Sequence, residues 1–134
     1  MVRTDLSIKL LRWSIGFTFL WFGVLKFFNA SPVLEIIRQA MPLMLGESQL
    51  FMFGLSLLEI AIGFAFLANK FVKLAVLVMT AHLIVATASV LFTQGFSPRF
   101  PVLSLAGEFV VKNLVLIASG FVLFTSHETK EKSE

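Results

Sequence analysis

Five ionisable side chains lie inside apolar runs of this 134-residue chain, and their types are those that move protons, pair charges or hold a polar head group. Glu59 is set in LSLLEIAIGF and His82 in VMTAHLIVA, while Lys26 closes the run FLWFGVLKF. Glu108 and Lys112 fall within SLAGEFVVKNLVLIASG. Ionisable groups in apolar helices face one another or a cavity, and by default they are functional candidates. Glu108 and Lys112 are four residues apart, which on a helix allows a self-contained ion pair. Glu59 has no such partner on its own run. It therefore needs Lys26, His82 or Lys112, or it must stay protonated. A carboxylate beside an imidazole can also exchange protons with it.

These residues must be positioned by helices long enough to cross a bilayer, which takes roughly 17–25 apolar residues. Four segments qualify, near 8–28, 50–68, 72–93 and 104–125. The segment SPVLEIIRQAMPLMLGES between the first two is too short and too polar to span. Pro32 suits a first helical turn, and Val33, Ile36, Ile37, Ala40 and Met44 recur at helical spacing, with Glu35 and Arg38 free to face water. It reads as a short interfacial helix. Asn69 and Lys70 predict a tight turn, and Pro98 and Pro101 break the chain before the last span. The expected fold is an all-α integral membrane four-helix bundle. Residues 1–126 form one transmembrane domain, and 127–134 form a polar, disordered tail.

Each span carries one stripe of polar or small residues at three- and four-residue spacing. These are Arg12, Gly16, Phe19, Gly23 and Lys26 in the first, and Ser56, Glu59 and Gly63 in the second. The third has Ala75, Val78, His82, Ala86, Ser89 and Thr93, and the fourth has Ser104, Glu108, Lys112, Val115 and Ser119. The stripes are expected to face each other, small residues letting helices approach and ionisable groups pointing inward. The last span holds twelve Leu, Ile, Val or Phe, which favour insertion by about 4–7 kcal/mol, while one lone central charge costs about 2.5–3.5 kcal/mol. Pairing, or placement near an end, resolves that conflict. For Lys26, at the end of its span, snorkelling outward is one solution.

The composition agrees: 57% of residues are hydrophobic and 14% charged, with a mean hydropathy of +0.91. A soluble domain carries about 25% charged residues. The absence of cysteine excludes disulfides, thiolate metal sites and a Cys nucleophile. No phosphate loop, nucleophile triad, metal site or nucleic-acid surface is evident, and the bilayer is the expected partner. The first run is too long for a signal peptide and lacks a small-residue cleavage site. Arg3, Lys9, Arg12, Lys70, Lys73, Lys130 and Lys132 gather at the end carrying both termini, against Lys26, Arg38, Arg99 and Lys112 at the other. That asymmetry predicts a plasma (inner) membrane protein with both termini cytoplasmic.

FLWFGVLKF, LLEIAIG and FPVLSLAGEFVVKNLVLIASG together resemble the DoxX-like superfamily of small four-helix membrane proteins, and most closely its YkgB branch. The resemblance marks Gly23, Lys26, Glu59, Gly63, Lys112 and Asn113 as family-like positions, and gives Glu108 no fixed role. It implies, without fixing a single activity, quinone-coupled oxidation of sulfur compounds, cofactor or disulfide maturation, oxidative-stress defence or an assembly role, and the cysteine-dependent ones do not carry over to a chain without cysteine. The resulting expectation is a membrane module that binds a quinone or similar apolar molecule at an interior cluster of Lys26, Glu59, His82, Glu108, Lys112 and Asn113. Phe19, Phe22 and Phe53 would supply its apolar walls. Any catalysis would need a redox partner. Two alternatives stand beside it: a scaffold whose charges only specify packing, and a small proton-coupled transporter acting as a homo-oligomer.

Overall fold

Backbone groups in hydrocarbon must be satisfied within the segment that carries them, so apolar runs of this length fold as helices. The computed structural model describes residues 2–31, 34–40, 48–94 and 103–131, and among them there are five helices and no strand. These are α1 (Val2–Phe27), α2 (Leu34–Ala40), α3 (Gln49–Ala68), α4 (Val72–Gln94) and α5 (Leu105–Glu131). All but α2 are long and apolar enough to cross a membrane. The expected all-α bundle is therefore present. Residues 32, 33, 41–47 and 95–102, which include Pro32, Val33, Met44, Pro98 and Arg99, lie outside the described residues.

Local sequence explains the ends. Ser48 caps α3 by accepting from Phe51 N–H at 3.3 Å. Asn69 closes α3 in the left-handed conformation, φ 55°, a position Asn tolerates better than most residues. Asn69 N–H and Lys70 N–H then donate to Phe66 O and Ala65 O at 3.2 and 3.1 Å, and α4 starts at Val72. The expected tight turn at 69–70 is thus built from a capping motif. Ser104 caps α5 through Gly107 N–H at 3.0 Å.

One boundary differs from expectation. The polar tail is helical to Glu131, not disordered from 127. Thr129 Oγ1 donates to Thr125 O at 2.9 Å, and Glu and Lys are good helix formers that extend a helix already nucleated in the membrane.

The packing pairs α1 with α3 and α4 with α5, lays α2 on α4, and leaves the seam between α3 and α4 sparsely filled. Glycine sets the first pair. A Cβ added at Gly63 would collide with Leu20 N and lie 2.7 Å from Gly16 O. One at Gly23 would lie 2.9 Å from Ile60 N and 3.0 Å from Ser56 O. The two backbones touch, as small residues allow in membrane helix pairs. Ile15, Phe19, Ile62, Phe66, Met79 and Leu123 form the main core, and Ile36 of α2 joins Val90 and Val110 in a second. Outward, Phe17, Phe64 and Phe92 are well exposed, as lipid-facing residues are.

The interior stripes of α1 and α3 are as expected: Arg12, Gly16, Phe19, Gly23 and Lys26, and Ser56, Glu59 and Gly63, are all buried. The stripes of α4 and α5 are rotated. The buried line of α4 is Val72, Ala75, Val76, Met79, Leu83 and Val90, and Val78, His82, Ala86 and Ser89 flank it half-buried. In α5 the buried line is Gly107, Val110, Asn113, Gly120 and Leu123, while Glu108 and Val115 are exposed. That is a shift of one residue, about 100° of helix rotation.

Candidate functional site

The site begins with a side chain that doubles back. Gly23 abuts Ser56 and Ile60, yet Lys26, nearly one turn further along α1, bonds Glu59, which lies between them. The Lys26 chain therefore runs toward the N-terminus of α1, the direction in which helix Cα–Cβ bonds tilt. Instead of snorkelling outward, it folds inward and is 6% exposed. Its Nζ donates to Glu59 Oε1. His82 Nε2 on α4 lies 3.1 Å from the same oxygen, so one carboxylate oxygen ties α1, α3 and α4 together. Phe19 packs edge-on against the His82 ring, with centroids 6.5 Å apart.

A second set of groups closes the other side. Asn113 on α5 is fully buried, and its Nδ2 donates to Thr87 Oγ1 on α4 at 3.1 Å. Lys112 Nζ stands over the Phe22 ring at 4.8 Å and the Phe109 ring at 4.4 Å, a cation–π arrangement that stabilises an ammonium away from water. Lys26, Glu59, His82, Lys112 and Asn113 line one cavity of about 30 Å³. Two buried acceptors, Glu59 Oε2 and Asn113 Oδ1, have no hydrogen-bond partner among the described residues. Leaving such a group unmatched costs about 1–3 kcal/mol or more. Both residues are walls of that cavity, which is large enough for a water or a ligand hydroxyl.

Lys26, Glu59 and His82 also form the polar end of a much larger space. About 550 Å³ opens along the α3–α4 seam, walled by Phe51, Leu55, Leu58, Val78 and Val85, with Ile36 and Ile37 of α2 and Phe109 of α5. The half-buried stripe of α4 faces this space, which is why it escapes the helix–helix core.

A family model described as DoxX matches residues 7–94, well over half of the chain. The chain belongs to the DoxX family. The matched stretch contains Lys26, Glu59 and His82, so the three-residue cluster lies within the DoxX region, whereas Lys112 and Asn113 stand on α5 beyond it. No curated protein and no solved structure matches the chain.

Five of the six site residues expected from the DoxX sequence come together: Lys26, Glu59, His82, Lys112 and Asn113. Glu108 does not. It is exposed in the first turn of α5 and makes no ion pair with Lys112. An acid there meets the positive end of the helix dipole, which accounts for its place without any partner. Phe53 is also outside the interior cluster, half-exposed, with its ring tilted against that of Phe27 at a centroid distance of 5.2 Å. Thr87 is invisible to stripe reasoning because it lies off the His82 stripe. Arg12 has a separate role: Nη1 donates to Phe66 O, and to Leu67 O at 3.4 Å, in the last turn of α3. There it serves as a cationic cap at the C-terminus of α3, where Phe66 O also accepts from Asn69 N–H.

Proposed function

We infer that this DoxX protein binds an apolar small molecule with a polar head, and that a quinone is the ligand class that fits best. One observation carries the reading: a largely apolar space of about 550 Å³ ends on Lys26, Glu59 and His82. Small-molecule sites are typically about 300–1,000 Å³, mostly apolar, with a few convergent polar groups. A quinone carbonyl accepts hydrogen bonds, and Lys26 and His82 are donors that already converge on one oxygen. Phe51 and Phe109 offer aromatic faces to a flat ring. Redox work would fall to a partner protein exchanging electrons with the bound quinone.

The test is titration of the purified protein in detergent with a quinone analogue. Saturable binding weakened about tenfold or more by Glu59→Gln is expected. No saturable binding, or binding that Glu59→Gln leaves unaltered, sinks the reading.

A second reading has its own observation. Glu59 is closed onto Lys26 and His82, which ties three helices, as a scaffold whose charges specify packing would require. In that case Glu59→Gln lowers the melting temperature and every phenotype together. A well-folded variant that loses only ligand binding excludes it.

The excess of Lys and Arg at the end carrying both termini supports a cytoplasmic location for them in an inner membrane. Because the chain has no cysteine, Glu128→Cys and Glu35→Cys are clean single reporters. Glu128→Cys should resist an impermeant thiol reagent in intact cells, and Glu35→Cys should react. The reverse pattern would invert the topology.

A further inference from the structure

Lys26 has a third face. It also borders a polar recess of about 280 Å³ at the end of the bundle where α1 finishes, α2 lies and α3 begins, and His82 is not among the lining residues. Besides Lys26, its polar walls are Asn29, Arg38, Gln49 and Ser56. Among the described lining residues there are two cations and no carboxylate.

Several of these groups retain donors. Lys26 is nine-tenths buried and directs one of its three N–H bonds to Glu59, which leaves two. Arg38 is exposed on α2 and has no ion pair among the described residues. Its neighbour Glu35 is engaged by Gln39 Nε2 at 2.8 Å and is not a wall of the recess. The start of α3 opens here as well. Ser48 occupies the Phe51 N–H, so the N–H groups of Gln49 and Leu50 remain without an intrahelical acceptor. The first turn of α3 carries no acidic residue to offset the positive end of its dipole. Asn29, held in the left-handed conformation at φ 54°, lines the same recess.

The level within the membrane also matters. The recess is bounded by the last turn of α1, the first turn of α3 and the amphipathic α2, whose Leu34 and Ile36 are buried while Glu35 and Arg38 are exposed. That is the level of a membrane surface, where an apolar helix face dips into the bilayer and a charged face meets the head groups. A guanidinium fork, a buried ammonium and free backbone N–H groups form the donor set that recognises tetrahedral oxyanions.

We propose that this recess is a phosphate-binding site. It takes the phosphodiester of an anionic membrane lipid or a soluble phosphate, held by Arg38 and Lys26 at the start of α3; in phosphatidylcholine the choline cation offsets the phosphate, so that lipid does not compete. The space exceeds what a bare phosphate needs and admits the atoms attached to it. Because Lys26 also holds Glu59, an oxyanion in the recess shares that ammonium with the interior carboxylate.

The experiment uses the full chain in phosphatidylcholine nanodiscs, titrated with inorganic phosphate by calorimetry at constant ionic strength. Saturable binding is expected, weakened at least tenfold by Arg38→Gln, partly retained by Arg38→Lys and not weakened by Glu35→Gln. Arg38 is exposed, so these variants should fold, and an unaltered melting temperature in phosphatidylcholine checks that they do. Discs containing phosphatidylglycerol distinguish the sources. If the lipid is the occupant, phosphatidylglycerol raises the melting temperature of the wild type, not of Arg38→Gln, and suppresses the phosphate titration. If a soluble phosphate is the occupant, the titration is the same in both discs. Absence of both saturable phosphate binding and any lipid effect that depends on Arg38 would overturn the proposal.

Discussion

The most direct test of the fold is a glycine series on α3 and its neighbours. At Gly63 an added methyl group would meet the backbone of α1: Leu20 N, Gly16 O at 2.7 Å and Leu20 Cα at 2.9 Å. Ordinary contact needs about 3.4 Å or more, and backbone atoms cannot rotate away. Gly63→Ala must therefore push α1 off α3 by several tenths of an ångström along the seam that also aligns Lys26 with Glu59. Overpacking of this kind costs about 1–3 kcal/mol, and the better helix propensity of alanine returns about 1 kcal/mol. The contacts at Gly63 are all with backbone, which puts the clash at the upper end of that range and the net loss at up to about 2 kcal/mol. Two controls bracket it. Gly54 has nothing within 4 Å of an added Cβ, so Gly54→Ala gains the propensity alone. At Gly120 the nearest obstacle is the terminal methyl of Met79, a flexible group that can turn aside at small cost. Thermal unfolding in one detergent should rank the variants Gly54→Ala highest, Gly120→Ala near wild type and Gly63→Ala lowest. If Gly63→Ala melts at or above wild type, or Gly54→Ala falls as far, the close α1–α3 approach is wrong.

Three further outcomes follow from the charged groups. Removing one member of the buried Lys26–Glu59 pair by Lys26→Met should cost about 3–5 kcal/mol because the other charge is stranded, and the double variant Lys26→Met with Glu59→Leu should recover much of that; additive losses in thermal melts would mean the two do not interact. Arg12→Ala strips the guanidinium from Leu67 O and leaves Phe66 O with Asn69 N–H alone at the end of α3. It should destabilise the protein by about 1.5–3 kcal/mol, with Arg12→Lys intermediate. Glu108→Gln should cost no more than about 1 kcal/mol from the helix dipole. A double-mutant cycle with Lys112→Met should give no coupling, whereas clear coupling in unfolding measurements would restore the ion pair that the exposed position of Glu108 denies.

The contrast between Glu59 and Glu108 explains what is legible in the sequence. A carboxylate in mid-span with no neighbour four residues away must find one across the bundle or stay protonated, so the spacing narrows Glu59 to Lys26, His82 or Lys112, and the fold selects the first two. Glu108 has an apparent partner in sequence, and that proximity misleads. Four residues from Ser104, it belongs to a helix end, where an acid needs no partner. The stripes of α1 and α3 are readable because their glycines mark a true backbone contact. The stripe of α4 marks a cavity wall instead, since polar groups beside a pocket and polar groups inside a core follow the same periodicity. On α5 the small residues Gly107 and Gly120, with Asn113, are a better guide than the charges. Lys26 is deceptive for a related reason. Sequence position gives the depth of its Cα, while the ammonium is carried several ångströms back along the helix.

That displacement is what allows one lysine to serve three spaces. Lys26 borders the small cavity shared with Asn113, the apolar space along the α3–α4 seam and the polar recess by Arg38. An ammonium has three N–H donors, and Glu59 takes one. A ligand head in the apolar space and an oxyanion in the recess therefore draw on the same charge from opposite sides. By linkage, whatever effect one occupant has on the affinity of the other must be reciprocal. If quinone-analogue affinity shifts between phosphatidylcholine discs with and without phosphate, phosphate affinity must shift by the same factor when the analogue is bound. Arg38→Gln should remove both shifts together. If phosphate leaves the affinity of the analogue unchanged in the wild type, Lys26 is not the shared element.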